Sequence, residues 1–178
     1  MIPRKPFFFL RHGETDHNAK QILSGGDCDV HLNDSGVKQT QKIRPHIEGL
    51  PIQVIYHSPL IRAKQTMEMV SQNLKLKQIE IEELRECNAD TWLDMNRTAS
   101  KVKPTSDRTK SFLNQVITGM LHILESNTLP LIIAHGGVHF ALCQLLAIEN
   151  HPKAIENCAL VHFNPIGASS WVAKKIHP

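Results

Sequence analysis

Short apolar runs alternate along this chain with longer amphipathic stretches, and that alternation restricts the fold more than any other feature. Runs of strand length lie at residues 7–10, 52–56, 131–134, 159–163 and 170–173. The first run is apolar without interruption, which is typical of a strand buried on both faces. The pattern predicts an α/β fold, a three-layer sandwich with helices on both faces of a mostly parallel sheet.

Four amphipathic stretches between these runs are predicted to be helices. They span residues 36–48, 60–73, 108–125 and 138–148. Pro45 is expected to end or kink the first helix. Ser58 and Pro59 are expected to be the N-cap and the first helical residue of the second. The polar stretch 88–107 shows no helical period, so it is predicted to be an inserted loop.

The composition is that of an ordinary soluble globular protein. The 178 residues are 41% apolar and 21% charged, which excludes the collagen-like, disordered and disulfide-dense classes. We expect a single domain over residues 1–178, with a short cap at residues 88–107. The net charge of +3 is too small to indicate a nucleic-acid partner, whereas it suits an anionic small molecule.

The sequence also bears on redox state and location. Cys28, Cys87, Cys143 and Cys158 form no C-x-x-C pair, and we interpret them as separate reduced thiols. No apolar run approaches the roughly 18 residues of a membrane span, and the run at residues 7–10 is too short for a signal peptide. A cytoplasmic protein without a membrane partner is expected, and the sequence indicates no particular oligomeric state.

Ionisable side chains follow three of the predicted strands. Arg11 and His12 come directly after the first strand, and Arg62 comes shortly after the second. His135 directly follows the third. In open α/β sheets, ligands bind beyond the carboxyl ends of the strands. We therefore expect two arginines and two histidines to converge on an anion there, with helix N-termini adding N–H donors.

Four motifs in this sequence resemble those of the histidine phosphatase superfamily, the phosphoglycerate mutase-like group. They are Leu10-Arg11-His12-Gly13-Glu14-Thr15, Ser58-Pro59-Leu60-x-Arg62-Ala63-x-Gln65-Thr66, Leu84-Arg85-Glu86 and Ala134-His135-Gly136. The motifs occur in the family's order and cover most of the chain. A lone Arg-His-Gly would be weak evidence, whereas four ordered motifs at strand ends are specific. The chain resembles the short cofactor-independent phosphatases of this group, which implies the phosphoglycerate mutase-like fold.

The resemblance also implies a role for each matching residue. His12 is implied as the nucleophile that forms a phosphohistidine, and Glu86 as the acid that protonates the leaving oxygen and then deprotonates water. Arg11, Arg62 and His135 are implied to hold the phosphoryl oxygens. Further contacts to substrate phosphate are implied for Asn18, Ser24 and Gly25. No metal or other cofactor is implied, because the two arginines supply the positive charge.

Two alternative assignments stay open at this point. Glu82 and Glu83 lie close to Glu86 in sequence and compete with it for the role of acid, although only Glu86 fits the family pattern. His135 and His139 have the i, i+4 spacing of a metal pair, but the glutamate of H-E-x-x-H is absent. Zinc is therefore not expected, and His139 is interpreted as a packed or exposed helix residue.

The sequence predicts a metal-independent phosphohydrolase that acts on phosphomonoesters, with a phosphorylated small molecule or a phosphoprotein as substrate. A phosphoglycerate mutase-type phosphotransferase, a phosphoprotein (phosphohistidine) phosphatase and a non-catalytic phosphoprotein-binding module are the alternatives. The family commonly has a Trp-Glu-Gly after the acid, and here Trp92 is present while Leu93 and Asp94 replace the next two residues. That departure concerns the substrate more than the phosphotransfer residues, and the short cap predicts an open site.

Overall fold

The computed structural model describes residues 1–97, 106–149 and 155–176. It contains a six-stranded sheet in the order β3-β2-β4-β1-β5-β6. The strands are β1 (Phe7–Arg11), β2 (Val54–His57), β3 (Lys77–Glu80), β4 (Pro130–Ala134), β5 (Leu160–Ile166) and β6 (Ser170–Lys175). Strands β1 to β4 run parallel, whereas β5 and β6 are antiparallel additions at one edge. The mostly parallel sheet predicted from the sequence is confirmed.

Helices cover both faces of this sheet. The helices are α1 (Asp16–Ala19), α2 (Asp34–Glu48), α3 (Ile61–Val70), α4 (Ala89–Arg97), α5 (Asp107–Ile123) and α6 (Gly136–Leu145), with a 3-10 turn at Glu82–Leu84. One core cluster joins α2 and α3 to the sheet, and the other joins α4, α5 and α6 to the opposite face. The three-layer architecture is therefore as predicted. Among the described helices, none has the length and apolar character needed to cross a bilayer.

The apolar run of β1 packs against both layers of helices. Phe7 and Phe9 belong to the core cluster on the α5 and α6 side, and Phe8 and Leu10 to the cluster on the α2 and α3 side. All four are 5% exposed or less. Burying each such side chain stabilises the fold by about 1.5–3 kcal/mol. The strand is thus held from both sides, which fixes the position of the residues that follow it.

The strand register brings the ends of β2, β4 and β1 to one edge of the sheet. Arg11 pairs with Ala134 across the β1–β4 ladder, so His12 and His135 leave the sheet at the same level. Strand β2 lies on the other side of β4, where His57 pairs with Ile133. The predicted convergence of these three segments therefore follows directly from the strand order.

The predicted caps of α3 are wrong, and of the two outcomes predicted for Pro45, an end or a kink of α2, the end is not observed. Pro45 does not end α2, which continues to Glu48 and is capped at its start by Asn33. Helix α3 begins at Ile61 with Leu60 as its N-cap, and no side chain caps it. Ser58 lies two residues before that N-cap, where its hydroxyl accepts the Leu60 N–H at 3.3 Å and is 2.7 Å from the ring of His135, and Pro59 lies outside the helix.

The predicted loop at residues 88–107 is wrong over its first half, because residues 89–97 form α4. The Asn88 side chain accepts a hydrogen bond from the backbone N–H of Thr91 at 2.9 Å, as an N-cap does. Trp92 and Met95, three residues apart, both pack against the core. Two apolar contacts in a polar helix give little periodic signal. Residues 98–105 lie outside the described part of the chain.

Strand β3 is absent from the sequence predictions. It is an edge strand in which only Ile79 is partly buried, while Lys77, Gln78 and Glu80 are exposed. Its pairing with β2 is set by backbone hydrogen bonds rather than by an alternating apolar pattern. A four-residue strand with one apolar side chain gives only a weak sequence signal.

Candidate active site

A cleft of about 320 Å³ lies beyond the carboxyl ends of β1 and β4. Six of the predicted site residues line it, namely Arg11, His12, Asn18, Ser24, Gly25 and Glu86. The other two lie against this group. The Arg62 guanidinium donates to the Gly25 carbonyl at 3.4 Å, and the ring of His135 has its centre 5.1 Å from that of His12. The structure therefore brings all eight predicted residues together. We call Arg11, His12, Arg62 and His135 the inner end of the cleft.

The His12 ring is held in one tautomer. Its Nδ1 lies 2.7 Å from the Gly13 carbonyl oxygen, and because a carbonyl only accepts, Nδ1 carries the proton. Burial lowers the pKa of His12 well below its ordinary value, and the positive charges of Arg11 and Arg62 lower it further. The ring is consequently neutral, with the lone pair of Nε2 available to attack an electrophile.

Close packing fixes the loop that carries His12. The Gly13 N–H donates to the Thr66 hydroxyl at 3.0 Å, and that hydroxyl donates to the Arg62 carbonyl at 2.8 Å. A Cβ atom on Gly13 would lie 2.8 Å from the Gly36 carbonyl oxygen, so the close approach of these two backbone segments requires glycine. The loop after β1 is thus tied directly to α3.

Neither arginine forms an ion pair among the described residues, and Arg62 is buried whereas Arg11 is partly buried. Arg62 is 1% exposed and donates to the Cys28 carbonyl at 2.8 Å, while Arg11 donates to the Ile155 carbonyl. The Nε atom of each is buried and makes no hydrogen bond within the described structure. Burial lowers the pKa of both guanidinium groups, and the nearby Glu86 opposes that effect. Unpaired cations with unused buried donors form a site for an anion.

His135 is oriented by a buried serine. Its Nε2 lies 2.7 Å from the Ser58 hydroxyl oxygen, which also accepts the Leu60 N–H at 3.3 Å. Among the described residues, Nε2 of His135 is the one acceptor within reach of the Ser58 hydroxyl proton. That proton is therefore directed to Nε2. Burial lowers the pKa of His135 well below its ordinary value, so the ring is neutral and protonated on Nδ1. That N–H is buried without a described partner and serves as a further donor.

Glu86 is held at the cleft by two backbone N–H groups. Its Oε1 accepts from Cys87 and its Oε2 from Gly137, both at 2.9 Å. Burial raises the pKa of this carboxyl, although the two N–H groups and the arginines act in the opposite direction. A Cβ atom on Gly137 would lie 2.1 Å from Oε1 of Glu86, so this contact requires glycine. A raised pKa lets a carboxyl hold its proton to higher pH, which suits a role as an acid.

The competing assignments find no support in the geometry. Glu82 lies on the exposed 3-10 turn and pairs with Arg85 at 2.5 Å, and neither it nor Glu83 lines the cleft. His139 is packed in the core between the rings of Phe9 and Phe163, with centroids 5.4 and 5.5 Å away. Within residues 1–97, 106–149 and 155–176, no three His, Cys, Asp or Glu residues are grouped to hold a metal ion.

Sequence reasoning missed Asn157, which also lines the cleft. Its Nδ2 donates to the His12 carbonyl and to Oδ1 of Asn18, both at 3.1 Å. The same Oδ1 accepts from the backbone and hydroxyl of Thr15, so the amide of Asn18 is fixed with its oxygen turned away from further donors. Its Nδ2 remains a donor for a ligand. An isolated asparagine before β5 has no motif that marks it.

Comparison with known proteins agrees with this geometry. The model of the histidine phosphatase superfamily (branch 1) matches residues 7–175. The chain belongs to this superfamily. It is 28% identical over 161 residues to the uncharacterized phosphatase PhoE of Bacillus subtilis (strain 168), covering 86% of this chain and 82% of that protein. It is also 27% identical over 180 residues to an agropine synthesis reductase of Rhizobium rhizogenes, of which the match spans only 41%, against 94% of this chain.

Solved structures show the same fold. A putative alpha-ribazole-5'-P phosphatase from Escherichia coli aligns with a TM-score of 0.73 at 17% identity, covering 99% of this chain and 97% of that one. A phosphoglycerate mutase from Bacillus anthracis aligns at 0.71 and 18%, covering 96% and 92%. The predicted superfamily and the phosphoglycerate mutase-like fold are confirmed. Family membership, together with the named phosphatases among the relatives, also confirms the predicted enzyme class, a phosphatase.

Proposed function

We propose that the protein hydrolyses phosphomonoesters without a metal ion, through a phosphohistidine on His12. The observation that carries this proposal is the position of a neutral, tautomer-fixed His12 beside two arginines, each with a buried Nε atom that makes no hydrogen bond among the described residues. The guanidinium groups of Arg11 and Arg62 and the Nδ1–H of His135 bind the phosphoryl oxygens and stabilise their charge in the transition state. Asn18, Ser24 and Gly25 complete the contacts to the phosphate.

The first step transfers the phosphoryl group to the enzyme. The lone pair of His12 Nε2 forms a bond to phosphorus while the bond from phosphorus to the ester oxygen breaks. Glu86 gives its proton to that oxygen, so a neutral alcohol leaves and Glu86 becomes a carboxylate. The raised pKa of Glu86 keeps the proton available for this transfer.

The second step returns the enzyme to its starting state. Water attacks phosphorus as the bond to Nε2 breaks, and the Glu86 carboxylate takes a proton from that water. Inorganic phosphate leaves, with His12 again neutral and Glu86 again protonated. Since both His12 and Glu86 lie at the cleft, this arrangement favours an enzyme over the non-catalytic binding module.

The test is hydrolysis of p-nitrophenyl phosphate by the purified protein in excess EDTA. We expect turnover to persist in EDTA and to disappear in a folded His12→Ala variant. His122→Ala is the matched control, because His122 is an exposed histidine on α5 and its replacement should leave the rate unchanged. Strict dependence on an added divalent metal, or substantial turnover by His12→Ala, would overturn the proposal.

A further inference from the structure

Apolar side chains line the cleft on the loop after α1 and on α4, beside the polar side chains of Gln21 and Asn88. We call Ile22, Leu23, Ala89 and Trp92 the outer end, since they line the cleft on the loop after α1 and on α4. Ile22 and Leu23 are 49% and 46% exposed. Large apolar side chains that are exposed together at the mouth of a cleft mark a surface that binds an apolar group.

Trp92 connects this surface to the inner end. Its ring contacts Phe140 of α6 edge to face, with centroids 5.9 Å apart. A Cβ atom built on Gly136 would lie 3.8 Å from Cη2 of Trp92 and 3.6 Å from Nε of Arg11. The two side chains therefore approach the same point on α6. The indole is thus supported by the core on one side while it lines the cleft next to Arg11. A rigid aromatic ring in that place offers a stacking surface for a group bonded to the phosphate.

Positive charge is concentrated at the inner end. Of the described residues that line the cleft, Arg11 alone carries a permanent positive charge, and Arg11 and Arg62 are both needed for one phosphoryl group. Beside the cleft, Arg108 of α5 is engaged by Asp90 and Asp94 of α4, at 3.1 and 3.5 Å. Among the described residues, a second acidic group on the substrate would therefore meet apolar and uncharged polar side chains, and beside them a helix that carries carboxylates.

We propose that the substrate is a phosphomonoester whose alcohol is neutral and apolar, with an aromatic ring or a bulky hydrocarbon next to the ester oxygen. This inference rests on the phosphatase function proposed above and narrows its substrate class. Monoesters that carry a carboxylate or a second phosphate on the alcohol are poor substrates. Binding of the apolar alcohol is favoured by the apolar surface that it buries, whereas a charged group would lose its hydration without a partner.

The experiment compares two aryl phosphates whose phenols have nearly equal acidity. One is 4-propylphenyl phosphate, and the other is 3-(4-phosphooxyphenyl)propanoate, which has a carboxylate in place of the terminal methyl group. We expect kcat/KM to be about tenfold or more in favour of the neutral ester. Trp92→Ala should lower kcat/KM for the neutral ester about tenfold through lost stacking and burial, with Trp92→Phe retaining most of it.

A surface variant keeps the test independent of core packing. Leu23→Lys places a cation at the outer end and should shift the ratio toward the carboxylate ester by about threefold. Val172→Lys is the matched control, because Val172 is 41% exposed on β6 and does not line the cleft. It should leave the ratio unchanged.

The outcomes separate this inference from the function on which it rests. If both esters form a phosphoenzyme in rapid-quench experiments but have equal kcat/KM, the substrate class is wrong while the phosphatase function stands. A preference for the carboxylate ester would overturn the inference in the same way. If neither ester nor p-nitrophenyl phosphate forms a phosphoenzyme, the proposed function fails and this inference fails with it.

Discussion

The inner and outer ends of the cleft differ in how firmly the fold holds their side chains. At the inner end, His12, Arg62 and His135 are 3% exposed or less, and each is fixed by hydrogen bonds to backbone or to a buried serine. At the outer end, Ile22 and Leu23 are about half exposed and lie on a loop. Under the proposed function, the residues that follow the sheet strands would bind the phosphate, whereas surface elements would select the alcohol it carries. Substitutions should separate these two functions.

The largest expected effect comes from Glu86, which lines the cleft. Because an acid is needed most when the leaving oxygen is basic, Glu86→Gln should slow phosphoryl transfer from an alkyl ester by about a thousandfold. Transfer from p-nitrophenyl phosphate should slow much less. Single-turnover rates are the measurement, since the same carboxylate also acts in the second step. Glu82→Gln, at an exposed carboxylate outside the cleft, is the control, and equal losses for both esters would contradict the acid role.

Arg62 should show the next largest effect. Removing its guanidinium takes away a preorganised donor to the transition state, so Arg62→Ala should lower kcat/KM by about a hundredfold, or ~3 kcal/mol. Lysine should restore little, because it lacks the forked donor geometry. Arg44→Ala, which removes a surface arginine from α2, serves as the control. A loss of less than about fivefold in Arg62→Ala would show that the inner end does not depend on this charge.

The pH dependence of the single-turnover rate reports the protonation states of Glu86 and His12. In the proposed mechanism Glu86 acts while protonated, so the rate with an alkyl ester should fall about tenfold per pH unit above its raised pKa. His12 acts while neutral, and its lowered pKa keeps it neutral at pH values below the ordinary histidine range. Activity should thus extend well into the acid range. The alkaline decline should vanish in Glu86→Gln, and its persistence there would assign it to another group.

Ser58 should have the smallest effect of this series, because it acts through His135. Ser58→Ala leaves His135 free to change tautomer, so kcat should fall by several-fold to about tenfold while KM changes little. Threonine at this position should rescue part of the loss. Ser71→Ala is the matched control, since Ser71 is also buried and bonded, but to Met67 on α3. Equal losses in the two variants would indicate a packing effect rather than orientation of His135.

The sequence predicts the inner end well because its information is local. Arg11, His12 and His135 directly follow apolar runs, and the order of parallel strands brings such segments to one edge. The outer end is harder to predict from the sequence, because only Trp92 and Met95 of α4 contact the core. The polar sequence of this helix predicts a loop instead. Asn157 is missed for a related reason. Its contacts to His12 and Asn18 join parts of the chain that are far apart in sequence, and no spacing rule connects them.

The most direct test of the account is to locate the phosphate during turnover. The protein is mixed with p-nitrophenyl phosphate, quenched in alkali within milliseconds to preserve phosphohistidine, and digested for mass spectrometry. The account predicts a phosphate on His12 that is stable to base and labile to acid, and that is absent from His12→Ala. A phosphate on another residue, or steady turnover with no phosphoenzyme at any time point in a reaction whose first step is fast, would contradict it.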